Sequence, residues 1–330
     1  MDRIGHRRAA GAAGIVIATL AGTAPVAAQP QAWPAKPLRI VVAFPPGGIS
    51  DFAARAIAPG LGEVLRQTVV VENRGGAAGA IGTEVVAKSP PDGHTLLAHT
   101  VTFTVAPHMS ANPPADPLRD VMAVTQVIDA PNILVVTPSM PVRSVKELVA
   151  LAAKRRGELS FASSGYGSGT HLSGELFKQL TKVDMIHIAY KGGGPAVADL
   201  LGGHVPTMFS TLPSVTAHVA SGRLRALAVT GGKRFPSLPN VPTMMEAGVA
   251  NYTFSGWSGI FAPVGTPREI AVRFAEETLK VLRAPGFREK LLVQGADVVG
   301  STPDEFAAFV RSEYARWGQL VRQSGIKAEQ

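Results

Sequence analysis

The 330-residue chain has no cysteine. That single absence removes disulfide staples, thiol nucleophiles and thiolate metal sites together. Aromatic residues are only 6% and charged residues 17% of the chain, and the densest basic run is Lys154, Arg155, Arg156. A nucleic-acid groove, which interleaves aromatics with bases, has nothing to be built from. After the N-terminus no stretch approaches the roughly 18 unbroken apolar residues of a membrane-spanning helix. There is no HExxH pair, no G-x-S-x-G elbow, no Walker loop and no complete dinucleotide fingerprint. No cofactor and no metal is therefore expected. What remains is 46% hydrophobic residues, enough for one large or two medium cores.

The N-terminus has its own order. Arg3, Arg7 and Arg8 precede an Ala-rich apolar run over residues 9–20, followed by the small-residue ending APVAAQ. This reads as a secretory signal peptide over residues 1–28, cleaved after Ala28, rather than as a membrane anchor. Arg7 and Arg8 are followed by alanines where the twin-arginine route calls for a bulky apolar residue, so the export route stays open. Cleavage takes away Arg3, Arg7, Arg8 and Asp2 and lowers the net charge from +8 to +6. Scattered positive charge of this size draws in small anions.

Short β-type runs alternate with helical patterns almost to the end. LRIVVAF (38–44) is nearly all apolar, as in a strand buried on both faces, followed by a helical pattern over 51–67 in which Pro59 and Gly60 mark a bend; TVVVEN (68–73) and HTLLAHT (94–100) are further strands. A second unit repeats the alternation from NILVVTP (132–138) to LRALAVT (224–230), with Ser144 as a helix N-cap. Residues 252–263 read as extended, and two helices starting at Pro267 and Pro303 close the chain. Strand and helix in alternation mean parallel strands with crossover helices, hence two α/β units with a cleft between them.

Ligands in such sheets lie beyond the carboxyl ends of strands, at helix N-termini. Two loops occupy that position. In the first, Phe44, Pro45, Pro46, Gly47, Gly48 and Ile49 lead to Ser50 or Asp51 as helix cap. In the second, Ser163, Ser164, Ser168 and Thr170 bring hydroxyls, Gly165, Gly167 and Gly169 free the backbone, and a helix is expected to begin near Thr170 and His171. Facing each other, the two loops would clamp a carboxylate or phosphate. A third turn, Tyr190, Lys191, Gly192, could bring the Tyr190 hydroxyl or the following amides into the cleft, with Lys191 as a solvated rim charge. A Ser164, His171, Asp184 triad can also be drawn, which keeps a secreted serine hydrolase as the alternative.

The segments WPAKPLRIVVAFPPGGISDFAARAIA, QTVVVENRGGAAGAIGTEVVAKSPPDGHTLL, LSFASSGYGSGTHLSGELFK, HIAYKGGGPAVADLLGGHV and GRLRALAVTGGKRFPSLPNVPTMMEAG resemble, in order and spacing, the Bug (TctC-type) family of periplasmic solute receptors of tripartite tricarboxylate transporters. The likeness covers about residues 33–327. It implies a two-lobed α/β Venus-flytrap receptor with two crossover strands, at VIDAPNILVV and YTFSGWSGIFAP. Lobe 1 would be 33–130 plus 254–330 and lobe 2 131–253. A small carboxylate is then the expected ligand, held by backbone groups, hydroxyls and waters, with no chemical step. The partners would be membrane subunits of the TctA/TctB type or a membrane sensor, and the receptor a periplasmic monomer that binds no nucleic acid. Carried over, Thr100 and Thr102 in one lobe and Thr211 and Ser214 in the other supply variable walls of the cleft.

Two departures stand out. Ser210 and Pro206 occupy positions where many relatives carry acids, which argues against an amine-bearing ligand. Gly75 stands where relatives often have proline, a change expected to loosen a turn without reaching the cleft.

Overall fold

The computed structural model describes residues 33–109 and 115–324, so the signal-peptide reading lies outside the described residues. The elements run β1 (Leu38–Val42), α1 (Ile49–Leu65), β2 (Val69–Asn73), α2 (Ala80–Ala87), β3 (Thr95–Thr100), α3 (Thr102–Val105), β4 (Val121–Val136), α4 (Val145–Lys154), β5 (Ser160–Ser163) and α5 (Gly169–Thr181). They continue β6 (Ile186–Ala189), α6 (Gly193–Leu201), β7 (Thr207–Thr211), α7 (Leu212–Ala220), β8 (Arg225–Val229), β9 (Ser255–Pro263), α8 (Arg268–Leu282), α9 (Phe287–Gln294), β10 (Asp297–Val298) and α10 (Pro303–Ser324).

The strands follow the order β2-β1-β3-β9-β4-β7-β5-β6. β1 runs parallel to β2 and β3, and β5 parallel to β6 and β7. β4 belongs to both halves: its first part pairs with β9 as far as Pro131, and its second part pairs with β7 and β8 from Asn132 and Ile133 onward. This is the two-lobed α/β architecture that the resemblance implies, with β4 passing through the waist and β9 starting at it.

β1 shows why its sequence is apolar apart from Arg39, which pairs with Glu72 on β2. Leu38, Ile40 and Val42 pack towards α1 and α8, while Val41 and Ala43 join the core on the opposite face. α1 continues through Pro59, and Gly60 lets α8 close on it: a Cβ there would sit 2.7 Å from Val281 Cγ1. α4 begins as expected, with Ser144 Oγ accepting from Glu147 N at 3.2 Å.

The strand expected over 132–138 begins already at Val121. Two register shifts, between Ala123 and Thr125 and between Gln126 and Ile128, break the alternation that would have announced its first half. β7, α7, α9 and β10 are likewise elements the sequence reading did not delimit.

Candidate functional site

The first loop leaves β1 and turns on Gly47, whose φ of +91° favours glycine. Gly48, not Ser50 or Asp51, is the N-cap of α1, and no side chain caps the helix. The amides of its first turn therefore keep their donors for a ligand, at the positive end of the helix dipole. Ser50 adds a hydroxyl that is buried and has no partner. Asp51 does the bracing instead: its carboxylate accepts from Gly47 N at 3.1 Å, Arg55 Nε at 2.9 Å and Asn73 Nδ2 at 2.9 Å.

The second loop is bonded within itself. Ser168 is the N-cap of α5, so this helix starts slightly before the expected position; its Oγ accepts from His171 N at 3.2 Å and donates to Gly165 O at 2.6 Å. Thr170 Oγ1 accepts from Ser164 N at 2.9 Å and lies 2.9 Å from Ser164 Oγ and 3.0 Å from Ser168 Oγ. Gly165, at φ +125°, has no room for a Cβ, which would stand 2.9 Å from Tyr190 O.

Beneath the loop two imidazoles stack with centroids 4.0 Å apart. Burial lowers His171 to about 4, and its Nδ1 accepts from Gly167 N at 3.1 Å. Burial, followed by the charges of His171 and Lys178, lowers His187 to about 3; its Nε2 lies 2.6 Å from Ser163 Oγ. Both rings are neutral supports of the loop.

Glycine on both sides lets the loops meet. Gly192, at φ +128°, faces Pro45, and a Cβ on Gly47 would be 3.6 Å from Gly194 Cα. Ser214 Oγ ties the lobes by donating to Gly47 O at 2.8 Å. Between them lies a cavity of about 40 Å³, room for roughly three or four waters. Ser50, Thr100, Thr102, Ser164, Ser168, Thr170, Ser210 and Thr211 line it with hydroxyls, and Phe44, Ile49, Met208 and Trp257 with apolar surface. Among the described residues no Lys, Arg, His, Asp or Glu lines it. Like Ser50, Ser210 has a buried hydroxyl without a partner.

Of the residues singled out from sequence, Phe44, Gly48, Ile49, Ser50, Thr100, Thr102, Ser164, Ser168, Thr170, Gly192 and Thr211 line the cavity. Pro46, Gly47, Asp51, Ser163, Gly165, His171, Lys191 and Ser214 do not, and several of these shape or tie the loops instead. Tyr190 corrects an expectation: its hydroxyl donates to Asp199 Oδ2 at 2.8 Å, on α6, and does not enter the cavity. Gly75 does not line the cavity, and a Cβ there would sit 2.6 Å from Cδ of the lining residue Pro45.

Asn132, Met208 and Trp257 were not foreseen. Asn132 Nδ2 donates to Gly169 O and Ser173 Oγ, both at 2.9 Å, fixing the start of α5 against the crossover strand. A lone amide opening the apolar run NILVV was the available signal. Trp257 donates its Nε1 to Glu313 Oε2 at 3.2 Å, which leaves ring carbon to face the cavity.

The drawn triad does not assemble into a relay. The Ser164 hydroxyl is bonded to Thr170, and His171 Nδ1 receives the Gly167 amide rather than a carboxylate. The pair that does form, Ser163 with His187, lies off the cavity, and His187 Nδ1 has no partner to orient it. Among the described residues no group of three or more His, Asp or Glu is placed to hold a metal ion.

The family model "Tripartite tricarboxylate transporter family receptor" (TctC) matches residues 53–326. Protein BugT of Bordetella pertussis is 41% identical over 316 residues, 95% of this chain and 96% of that protein. Among solved structures, the periplasmic binding protein BugD superposes with a TM-score of 0.86 at 34% identity, covering 90% of this chain and all of the other. An R. palustris protein solved with adipate gives 0.87 at 36% identity, with the same coverage. MatC from Rhodopseudomonas palustris, with bound malate, gives 0.82 at 29% identity, covering 88% of this chain and all of the other. With a matching family model across most of its length and a 41%-identical relative over nearly all of it, the chain belongs to the tripartite tricarboxylate transporter receptor family.

Proposed function

We propose that the chain is an exported receptor that captures one small carboxylate between its lobes and delivers it to membrane subunits of the TctA/TctB type, without a chemical step. The observation that carries this reading is the cavity wall: an uncapped α1 N-terminus and two buried, unpartnered hydroxyls, Ser50 and Ser210, around a space lined, among the described residues, by no charged side chain. Helix amides and hydroxyls stabilise an anion without a fixed countercharge, and closure strengthens those bonds by excluding water. The adipate and malate held by relatives support the same ligand class. An ammonium group would find no carboxylate among the lining residues, which favours acids without an amine.

The lobes on this reading are 33–130 with 254–330, and 131–253, hinged where β4 leaves one sheet for the other and where β9 begins. Residues 1–28 direct export to the periplasm and are removed after Ala28, and the mature receptor acts as a monomer.

The test is native mass spectrometry of the mature chain purified without added ligand, followed by unfolding and a thermal-shift screen of dicarboxylates and tricarboxylates. One carboxylate released on unfolding, or a rise in Tm with at least one acid, is expected. A chain that is empty and stabilised by no acid would overturn the reading.

A further inference from the structure

A second concavity lies on the outer side of the loop contact. It is a groove of about 610 Å³, and its walls come from different lobes. α1 and α9 contribute Phe52, Arg55, Phe287, Lys290 and Leu291; α6 and α7 contribute Val197, Pro213 and His218. The two walls are joined by the Ser214 Oγ to Gly47 O bond, the same bond that ties the cleft shut, and they meet again where Thr216 Oγ1 on α7 lies 3.5 Å from Gln294 O on α9. On the receptor reading, parting the lobes would break these contacts and separate the walls, so the groove would exist in this form only with the cavity closed.

Its chemistry is one-sided. Half-buried Phe52 and Phe287 and buried Leu291 form an apolar floor. Lys290 and the protonatable His218 stand around it, together with Arg55, whose charge is paired with Asp51. Asp51, the only acid among the described lining residues, is 5% exposed and already bonded to Arg55 and Asn73. The groove therefore presents positive charge around apolar surface, and its complement is an acidic segment carrying an aromatic or aliphatic side chain.

We propose that this seam groove is the docking surface for an acidic, apolar-anchored segment of the membrane partner, and that it reports lobe closure to that partner. The proposal rests on the receptor reading above. A partner that binds only the joined walls discriminates the loaded receptor from the empty one through its differential affinity for the two states.

The test uses the mature chain and a fluorescein-labelled peptide, Asp-Glu-Leu-Trp-Glu-Asp, with a control in which lysine replaces every acid. Binding is read by anisotropy at low and moderate salt, alone and with whichever carboxylate raised Tm. The acidic peptide is expected to bind, more tightly with the carboxylate present and more weakly with salt, and the control is not. The double substitution His218→Glu, Lys290→Glu is expected to weaken peptide binding at least tenfold while leaving the carboxylate-induced rise in Tm intact. Absence of acidic-peptide binding, or binding that survives the double substitution, overturns the proposal. Binding of phosphatidylglycerol vesicles without peptide binding would assign the groove to a lipid surface, and self-association abolished by the double substitution would assign it to a second copy; either result also overturns it. The peptide arm decides the groove, and the Tm arm separately decides the receptor reading.

Discussion

The two loops that meet at the cavity solve the same geometric problem in opposite ways. The first, from Phe44 to the start of α1, is made of proline and glycine, has no side-chain cap, and leaves the Ser50 hydroxyl unpartnered. The second, from Ser163 into α5, is made of hydroxyls and glycine, caps its helix through Ser168, and uses Thr170 Oγ1 as a hub for three groups. One loop is unsatisfied by itself, and the other is satisfied before any ligand arrives. The difference teaches a division of labour between the loops: the first offers open donors, while the second is a stiff frame against which an anion is pressed, and the open hydroxyl on that side comes instead from Ser210 on β7.

The largest effect should come from preventing the loops from meeting. Gly192→Val places a β-branched side chain at φ +128°, against Pro45. It is expected to weaken carboxylate binding on the order of a hundredfold or more, through strain and a propped cleft. Calorimetry would check this, with small-angle scattering expected to show a larger radius of gyration in the presence of the acid; unchanged affinity would mean the loops need not touch.

The next effect separates the frame from the donors by pH. His171 and His187 have folded pKa values depressed to about 4 and about 3, chiefly by burial, from an ordinary value of 6.5. The unfolded chain therefore takes up protons that the folded chain refuses, so their contribution to stability is fully present above about pH 6.5 and is lost as the pH falls towards 4. Each group accounts for at most about 1.4 kcal/mol per pH unit. Tm is expected to drop over that window, and His171→Gln or His187→Gln to flatten the drop. A slope unchanged in both variants would show that the imidazoles do not support the loop.

Smaller effects should sort by loop. Ser50→Ala is expected to lower affinity roughly tenfold, the worth of a hydrogen bond to a charged group, while leaving the Tm of the empty protein unchanged. Ser168→Ala should do the reverse first, removing an N-cap worth about 1 kcal/mol and lowering the Tm of the empty protein. Identical behaviour of the two variants would erase the distinction between donor loop and frame. The smallest expected change is the most specific: Gly48→Ser supplies the cap that α1 lacks, so it should raise Tm slightly and weaken binding a few-fold, because the new oxygen competes for the same amides.

Much of this arrangement was legible in the sequence because it is local. A buried strand ending in Pro-Pro-Gly-Gly, followed by helical spacing, announces β1, its loop and α1; a hydroxyl-rich glycine loop before a helix announces the frame. What escaped is what depends on the waist. The family resemblance implied the crossover strands, but not that Asn132 and Trp257 within them reach the cavity, and the two register shifts in β4 hide its first half from a period-2 reading. Tyr190 was misjudged for a related reason. Its turn lies at the cleft, but Asp199 on the following helix offers its hydroxyl a nearer partner.

The central claim is that the cavity recognises negative charge through amides and hydroxyls rather than through a charged side chain. The most direct test is calorimetry of the mature chain with the acid selected in the thermal-shift screen, set beside the same molecule with its carboxylates converted to primary amides. The account predicts that the acid binds and that the neutral amide binds at least a hundredfold more weakly or not at all. Equal affinity for the two would contradict it.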